Sequence, residues 1–259
     1  MKLSRKVDFL QLAIAFGIGT LALVVTSDPK ARFVLVVLGL VLAIVSKARL
    51  GALVAKRAFS HLQRSIEAEN YPAARTTIGD LRELYSYSPP TIELLHLTEG
   101  HVLAGEGKHA EAIHLYESIA RDRLGAIYLP LLLNNLAWSL AEIGDGRRAV
   151  DVSRQSLEAS EEITGAATNE DLRAAQLGTR GAALVVAGEA KEGVELLEQS
   201  LARGGNAFSQ AARAFYLGEG HLALGDRAAA EEAWRRAEDA SPRSASGRRA
   251  AARLSDSSS

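Results

Sequence analysis

The sequence predicts an all-α chain in two parts: a hairpin of two membrane-crossing helices over residues 1–46, then an α-solenoid of about five helix pairs over 56–242. Three observations predict it. Two long apolar runs lie near the N-terminus, Phe9–Val25 and Phe33–Val45. A short turn phrase then recurs through the rest of the chain at a spacing near 37. Charge, finally, is unevenly divided. Residues 1–60 hold nine Lys and Arg against Asp8 and Asp28, which leaves 21 against 29 for residues 61–259, so +7 and −8 lie behind a net charge of −1. Averages of 47% hydrophobic and 24% charged residues describe neither part.

In Phe9–Val25 only Gln11 and Thr20 are polar, and Phe33–Val45 has no polar residue. At about 1.5 Å per residue the runs span roughly 26 and 20 Å, short of the roughly 30 Å of bilayer hydrocarbon. Extending them to Val7–Ser27 and Pro29–Ser46 repairs most of the deficit, with Lys30, Arg32, Lys47 and Arg49 reaching for the headgroups. Thr26-Ser27-Asp28-Pro29 reads as a helix stop and restart: Ser27 or Asp28 can cap, and Pro29 suits a first turn. The rival reading of the first run is a cleaved signal peptide with Met1–Lys6 as its basic end. Small residues four apart, Ala13/Gly17, Ala15/Gly19 and Gly39/Ala43, make faces through which membrane helices could pack or oligomerise.

Lysine and arginine set the orientation. Lys2, Arg5 and Lys6 precede the first run, and Lys47, Arg49, Lys56 and Arg57 follow the second, against Lys30 and Arg32 in the loop. Both termini are therefore expected on the cytoplasmic side. Between Ala31 and Tyr71 there is no proline, so residues 47–55 read as a basic juxtamembrane helix running into the repeats. Lys47, Arg49, Lys56 and Arg57 would then sit at the membrane surface.

The recurring phrase is a glycine, a turn, and a helix with a small residue five positions on: Gly107 to Ala112, Gly144 to Ala149, Gly188 to Gly193 and Gly225 to Ala230. A degenerate copy, Asn70-Tyr71-Pro72-Ala73-Ala74, comes first. Ala74, Ala112, Ala149, Gly193 and Ala230 are separated by 38, 37, 44 and 37. A second small position lies seven before each turn glycine, at Gly100, Ala137, Gly181 and Gly218, with Leu62 in the first copy. Four residues after the first small position stand Ile78, Tyr116, Ser153, Leu197 and Trp234, of which only Ser153 is not bulky. The phrase and its flanks resemble the tetratricopeptide repeat, whose unit is about 34 residues. The resemblance implies a right-handed solenoid of paired helices that bury their apolar faces by stacking. The longer interval of 44 predicts an insertion at Glu162–Glu170. After Pro242, residues 243–259 read as a short capping helix and a disordered tail, Ser255–Ser259. The order of membrane helices, basic stretch and repeats also resembles bacterial inner-membrane repeat proteins encoded with haem-biosynthesis genes, in layout only, which implies an inner-membrane location.

No chemistry is legible. Without cysteine there is no thiolate zinc site, cluster or cysteine nucleophile. His96/His101 and His109/His114 are five apart, about 140° on a helix, which spoils joint metal binding. Gly105-Glu-Gly107-Lys108 lacks the first glycine and the hydroxyl of a phosphate loop. The expectation is no enzyme, no cofactor and no metal, and the neutral total charge gives no pull toward nucleic acid.

The resemblance implies that the first helix of each pair lines a concave groove. Carried across copy by copy, the groove residues are Phe59, Gln63 and Ile66; Leu94, Leu97 and His101; Leu131, Asn134, Trp138 and Ala141; Ala175, Gly178, Ala182 and Val185; and Phe215, Glu219 and Leu222. This is a mostly apolar trough suited to a helix or extended peptide. The alternative is that Trp138 and Phe215 pack on an inserted helix or on the chain's own tail, which would close the groove. The expected role is a membrane-anchored scaffold recruiting a protein or peptide partner; the alternative is an envelope assembly factor whose membrane helices contact the client.

Overall fold

The computed structural model describes residues 53–66, 68–163 and 170–257. The membrane hairpin, Lys47 and Arg49, and most of the predicted insertion lie outside the described residues. No helix among the described residues is long and apolar enough to cross a membrane. The described residues are helical throughout, joined by short turns: α1 (53–66), α2 (Tyr71–Leu84), α3 (Pro89–Gly105), α4 (His109–Ser118), the short α5 (Arg121–Leu124), α6 (Leu129–Glu142), α7 (Gly146–Glu161), α8 (Glu170–Ala187), α9 (Ala190–Ala202), α10 (Ala207–Ala223), α11 (Arg227–Ala240) and α12 (Ala245–Ser257). They form two compact units divided within α3, one ending at Leu95 and the other running from His96 to Ser259.

Each pair is made by the same local device. The turn residue adopts a left-handed backbone, with φ of 78° at Gly107, 84° at Gly144, 90° at Gly188 and 83° at Gly225. Its amide donates to the carbonyl three residues back, and the next amide to the carbonyl five back, as in Gly144 to Ala141 and Asp145 to Leu140. That pair of bonds closes the first helix. The residue after the glycine opens the second: Asp145 and Asp226 accept from Arg148 N and Ala229 N through their carboxylates. The first copy keeps the geometry without glycine. Glu69 stands at the equivalent position with φ 54°, and Asn70 caps α2.

Small residues let the paired helices touch. A Cβ on Gly100 would fall 2.3 Å from the Tyr116 ring, on Gly181 2.7 Å from Leu197 Cγ, and on Gly218 2.4 Å from Trp234 Nε1. The bulky partners and the turn-side alanines Ala74, Ala112, Ala149 and Ala230 are buried. Ser153 is also buried, in the one copy whose crossing residue is Ala137 rather than glycine. In the first unit Leu62 and Ile78 are both buried. Nearest neighbours then stack in the second unit: α6 on α7 and α8, α8 on α9 and α10, α10 on α11 and α12. This arrangement is tetratricopeptide-like.

Two repeated serines, not foreseen, tie successive elements. Ser156 Oγ donates to Pro130 O at 2.8 Å and Ser200 Oγ to Ala174 O at 2.6 Å, at the same sequence separation. Gln176 then donates to Ser156 O and Ser156 Oγ, both at 2.8 Å, joining α8 to α7. Arg213 lies buried with Nη1 donating to Gly204 O at 2.6 Å, satisfying a carbonyl beyond the end of α9.

One boundary needs correction. The tail expected to be disordered from Ser255 continues as helix to Ser257. Ser244 Oγ accepts from Gly247 N at 3.0 Å and starts α12, while buried Ala250 and partly buried Leu254 join the second unit's core. At the predicted insertion, α7 ends at Glu161 and α8 begins at Glu170.

Candidate functional site

In the second unit α6 packs on α8 and α8 on α10. Trp138 on α6 meets Tyr216 on α10 edge to face, with ring centroids 5.5 Å apart, although α8 lies between these helices. Ala182 of α8, a side chain of one carbon, lies in the same core cluster as Trp138 and Tyr216. Phe215 stands edge to face with Tyr216 at 5.5 Å, which extends the aromatic layer.

The aromatic layer is covered at one end by the chain itself. Arg249 of α12 places its guanidinium 4.0 Å from the Phe215 ring centroid and 5.6 Å from that of Tyr216. It also donates to Glu142 Oε2 at 2.9 Å, at the end of α6. One turn on, Arg253 grips Glu219 with Nε and Nη2 at 2.9 and 2.7 Å and lies 6.0 Å from the Trp234 ring. Burial pushes the Tyr216 phenol up, and Glu142 adds to the shift. Burial works against charge on Arg249, but Glu142 and Tyr216 outweigh it and hold the guanidinium pKa above its ordinary value.

The predicted groove residues therefore separate. Phe215 is buried beneath Arg249, and Glu219 is paired with Arg253. Trp138 is partly buried against Tyr216. Val185 packs toward α9 and α10, its Cγ2 lying 2.8 Å from where a Gly193 Cβ would stand. Leu97, Ala141 and Ala182 are buried, and Gly178 backs onto Arg213 and Ser200. Each is drawn into the packing by a neighbouring helix whose approach the repeat spacing does not encode.

What remains accessible lies on α3, α6 and α10. Leu131 is 38% exposed and Leu222 42%. His101 is accessible, and the protein around it desolvates the imidazole and lowers its pKa. Asn134, one turn after Leu131 on the same face, is buried, and its Oδ1 has no hydrogen-bond partner among the described residues. In the first unit, Phe59 is partly buried beside Tyr85, ring centroids 6.2 Å apart, and Lys56 and Arg57 are exposed. Sequence reasoning missed Tyr216, Glu142, Arg249 and Arg253. The two arginines were legible as a helical pair four apart, but not their acidic partners, which are distant in sequence.

Among the described residues no group of three His, Asp or Glu side chains is placed to hold a metal. No family model matches the chain, and no curated protein matches it. Among solved structures it is similar to one described as "MamA RS-1 ArsTM double mutant", at 15% identity and a TM-score of 0.47, over 72% of this chain and 93% of that one.

Proposed function

We propose that this chain is a non-enzymatic adaptor, anchored in a bacterial inner membrane through residues 1–46, that offers the inner face of its helix pairs to a protein partner on the cytoplasmic side. The observation that carries the reading is Asn134. A buried acceptor left without a partner costs about 1–3 kcal/mol. Among the described residues Asn134 Oδ1 has no hydrogen-bond partner, and Asn134 stands one turn after the exposed Leu131 on α6. A peptide or helix end supplying an N–H and an apolar side chain would satisfy both. With Phe215 and Glu219 covered by α12, contact falls on α6 near Leu131 and Asn134. The anchor is supported by the two apolar runs and by the excess of lysine and arginine outside their connecting loop.

Site-specific photocrosslinking tests the reading. A photoreactive residue at Leu131 in the full chain, expressed in its membrane, should give one discrete adduct, at least fivefold stronger than from exposed Asp151 on α7. Asn134→Ala should weaken it. Adducts arising only from positions within 1–46 would overturn the groove reading in favour of membrane-helix recognition. Protease added to sealed inverted inner-membrane vesicles should digest the repeats; their protection would refute the topology.

A further inference from the structure

The first unit holds a feature that neither the repeat packing nor the inner face uses. A cavity of about 730 Å³ is lined by Lys56, Arg57, His61 and Arg64 of α1 and by Thr77 and Asp80 of α2. Arg57, His61 and Arg64 recur at four and three positions and so form one stripe with Lys56 beside it, while the buried Ala55 and Leu62 occupy the other side. Every ionisable residue in 53–66 is basic, and among the described residues Asp80 is the only acidic group on the cavity wall.

The donors are available. Arg64 uses Nε on Ser60 O at 3.2 Å, which leaves its terminal nitrogens. Among the described residues no carboxylate forms an ion pair with Lys56, Arg57 or Arg64. His61 is fixed on the wall. Thr77 Oγ1 donates to Ala73 O at 3.0 Å, so at 3.1 Å it must accept from the His61 Nδ1–H. Two guanidinium groups, an ammonium and one carboxylate leave a positive site of the chemistry that holds phosphate, with arginine forks matching its oxygens.

The sequence limits where this site can be. Six residues lie between Ser46, the end of the second apolar segment, and Leu53, so seven Cα steps join the two. Even fully extended they reach no more than about 25 Å, since each spans at most about 3.6 Å. A helix anchored at Ser46 therefore keeps the cavity within reach of the headgroup layer.

We propose that this cavity binds the phosphate of an anionic phospholipid, gripped by Arg57 and Arg64 with Lys56 as a neighbouring point charge. The inference rests on the membrane anchor proposed above. The test uses the full chain in neutral detergent, titrated with short-chain phosphatidylglycerol, short-chain phosphatidylcholine and inorganic phosphate. Phosphatidylglycerol should bind at least tenfold more tightly than phosphatidylcholine. The double variant Arg57→Gln/Arg64→Gln should lose that preference, and Arg235→Gln on α11 should keep it. If the double variant melts early, Arg57→Lys/Arg64→Lys keeps the charge, loses the forks, and should fall between. Equal affinity for the two lipids, or a preference untouched by either double variant at unchanged melting temperature, overturns the site. Inorganic phosphate binding as tightly as phosphatidylglycerol would overturn the lipid assignment. Carbonate extraction separates the two readings. A chain released by carbonate that still prefers phosphatidylglycerol refutes the anchor alone; a retained chain without preference refutes the site.

Discussion

At the scale of single residues, backbone sign and side-chain volume decide the fold. Gly144 adopts φ 84° so that Asp145 can close α6 and cap α7 within two residues. Gly144→Ala should cost about 1 kcal/mol, the penalty of a side chain in the left-handed region. Glu69 already bears that penalty, at φ 54°, and Glu69→Gly should return up to about 1 kcal/mol; urea melts measure both. At Gly218 two effects oppose each other. Alanine gains about 1 kcal/mol of helix propensity, but its Cβ would lie 2.4 Å from Trp234 Nε1. Trp234 is 2% exposed and has nowhere to swing, so overpacking of about 1–3 kcal/mol outweighs the gain and the denaturation midpoint should fall. The four turn glycines were readable because the conformation demands glycine. Glu69 was not, because nothing in its identity announces a left-handed backbone.

At the scale of elements, the pairs are matched in volume across the crossing. Glycine stands opposite Tyr116, Leu197 and Trp234, and alanine occupies the crossing where the second helix offers Ser153. The serine that departs from the family pattern is thus the partner of the larger Ala137. Ser153→Leu alone should overpack α6 against α7. Adding Ala137→Gly should relieve it, and a double-mutant cycle should return a favourable coupling of about 0.5–3 kcal/mol. Additive effects would mean that the two positions do not share one contact. The helix α12 shows the opposite case. Its start after Pro242 was legible, yet its extent was not, because Ala250, Leu254 and the bonds of Arg249 and Arg253 to Glu142 and Glu219 hold it in place. A serine-rich end read alone is a tail; docked on an acidic and aromatic floor it is a helix.

At the scale of the molecule, acidification should weaken the fold. Burial lowers the pKa of His109, with Glu142 opposing and Arg249 reinforcing the shift. In the unfolded chain its imidazole titrates near 6.5. As pH falls below that value the unfolded state takes up protons first, so stability should drop between about pH 7 and 5. Melting temperatures across that range check it, and His109→Gln should flatten part of the slope. A fold equally stable at pH 5 and 7 would contradict the direction.

By itself the sequence determined the periodic architecture: where each pair turns, which small residue faces which bulky one, and the concentration of apolar and basic residues in the first sixty positions. These follow from local rules, backbone sign at glycine, helical spacing and transfer of apolar groups, which act over a few residues. Only the tertiary structure decided which residues of the inner face stay open. Phe215, Val185 and Leu97 share register with Leu131 and Asn134, yet they are covered or inserted between helices while Leu131 faces solvent. Their exposure depends on how the neighbouring helices pack and on where α12 docks. Those are sums over contacts distant in sequence, such as Trp138 with Tyr216 and Glu142 with Arg249, that no local period records.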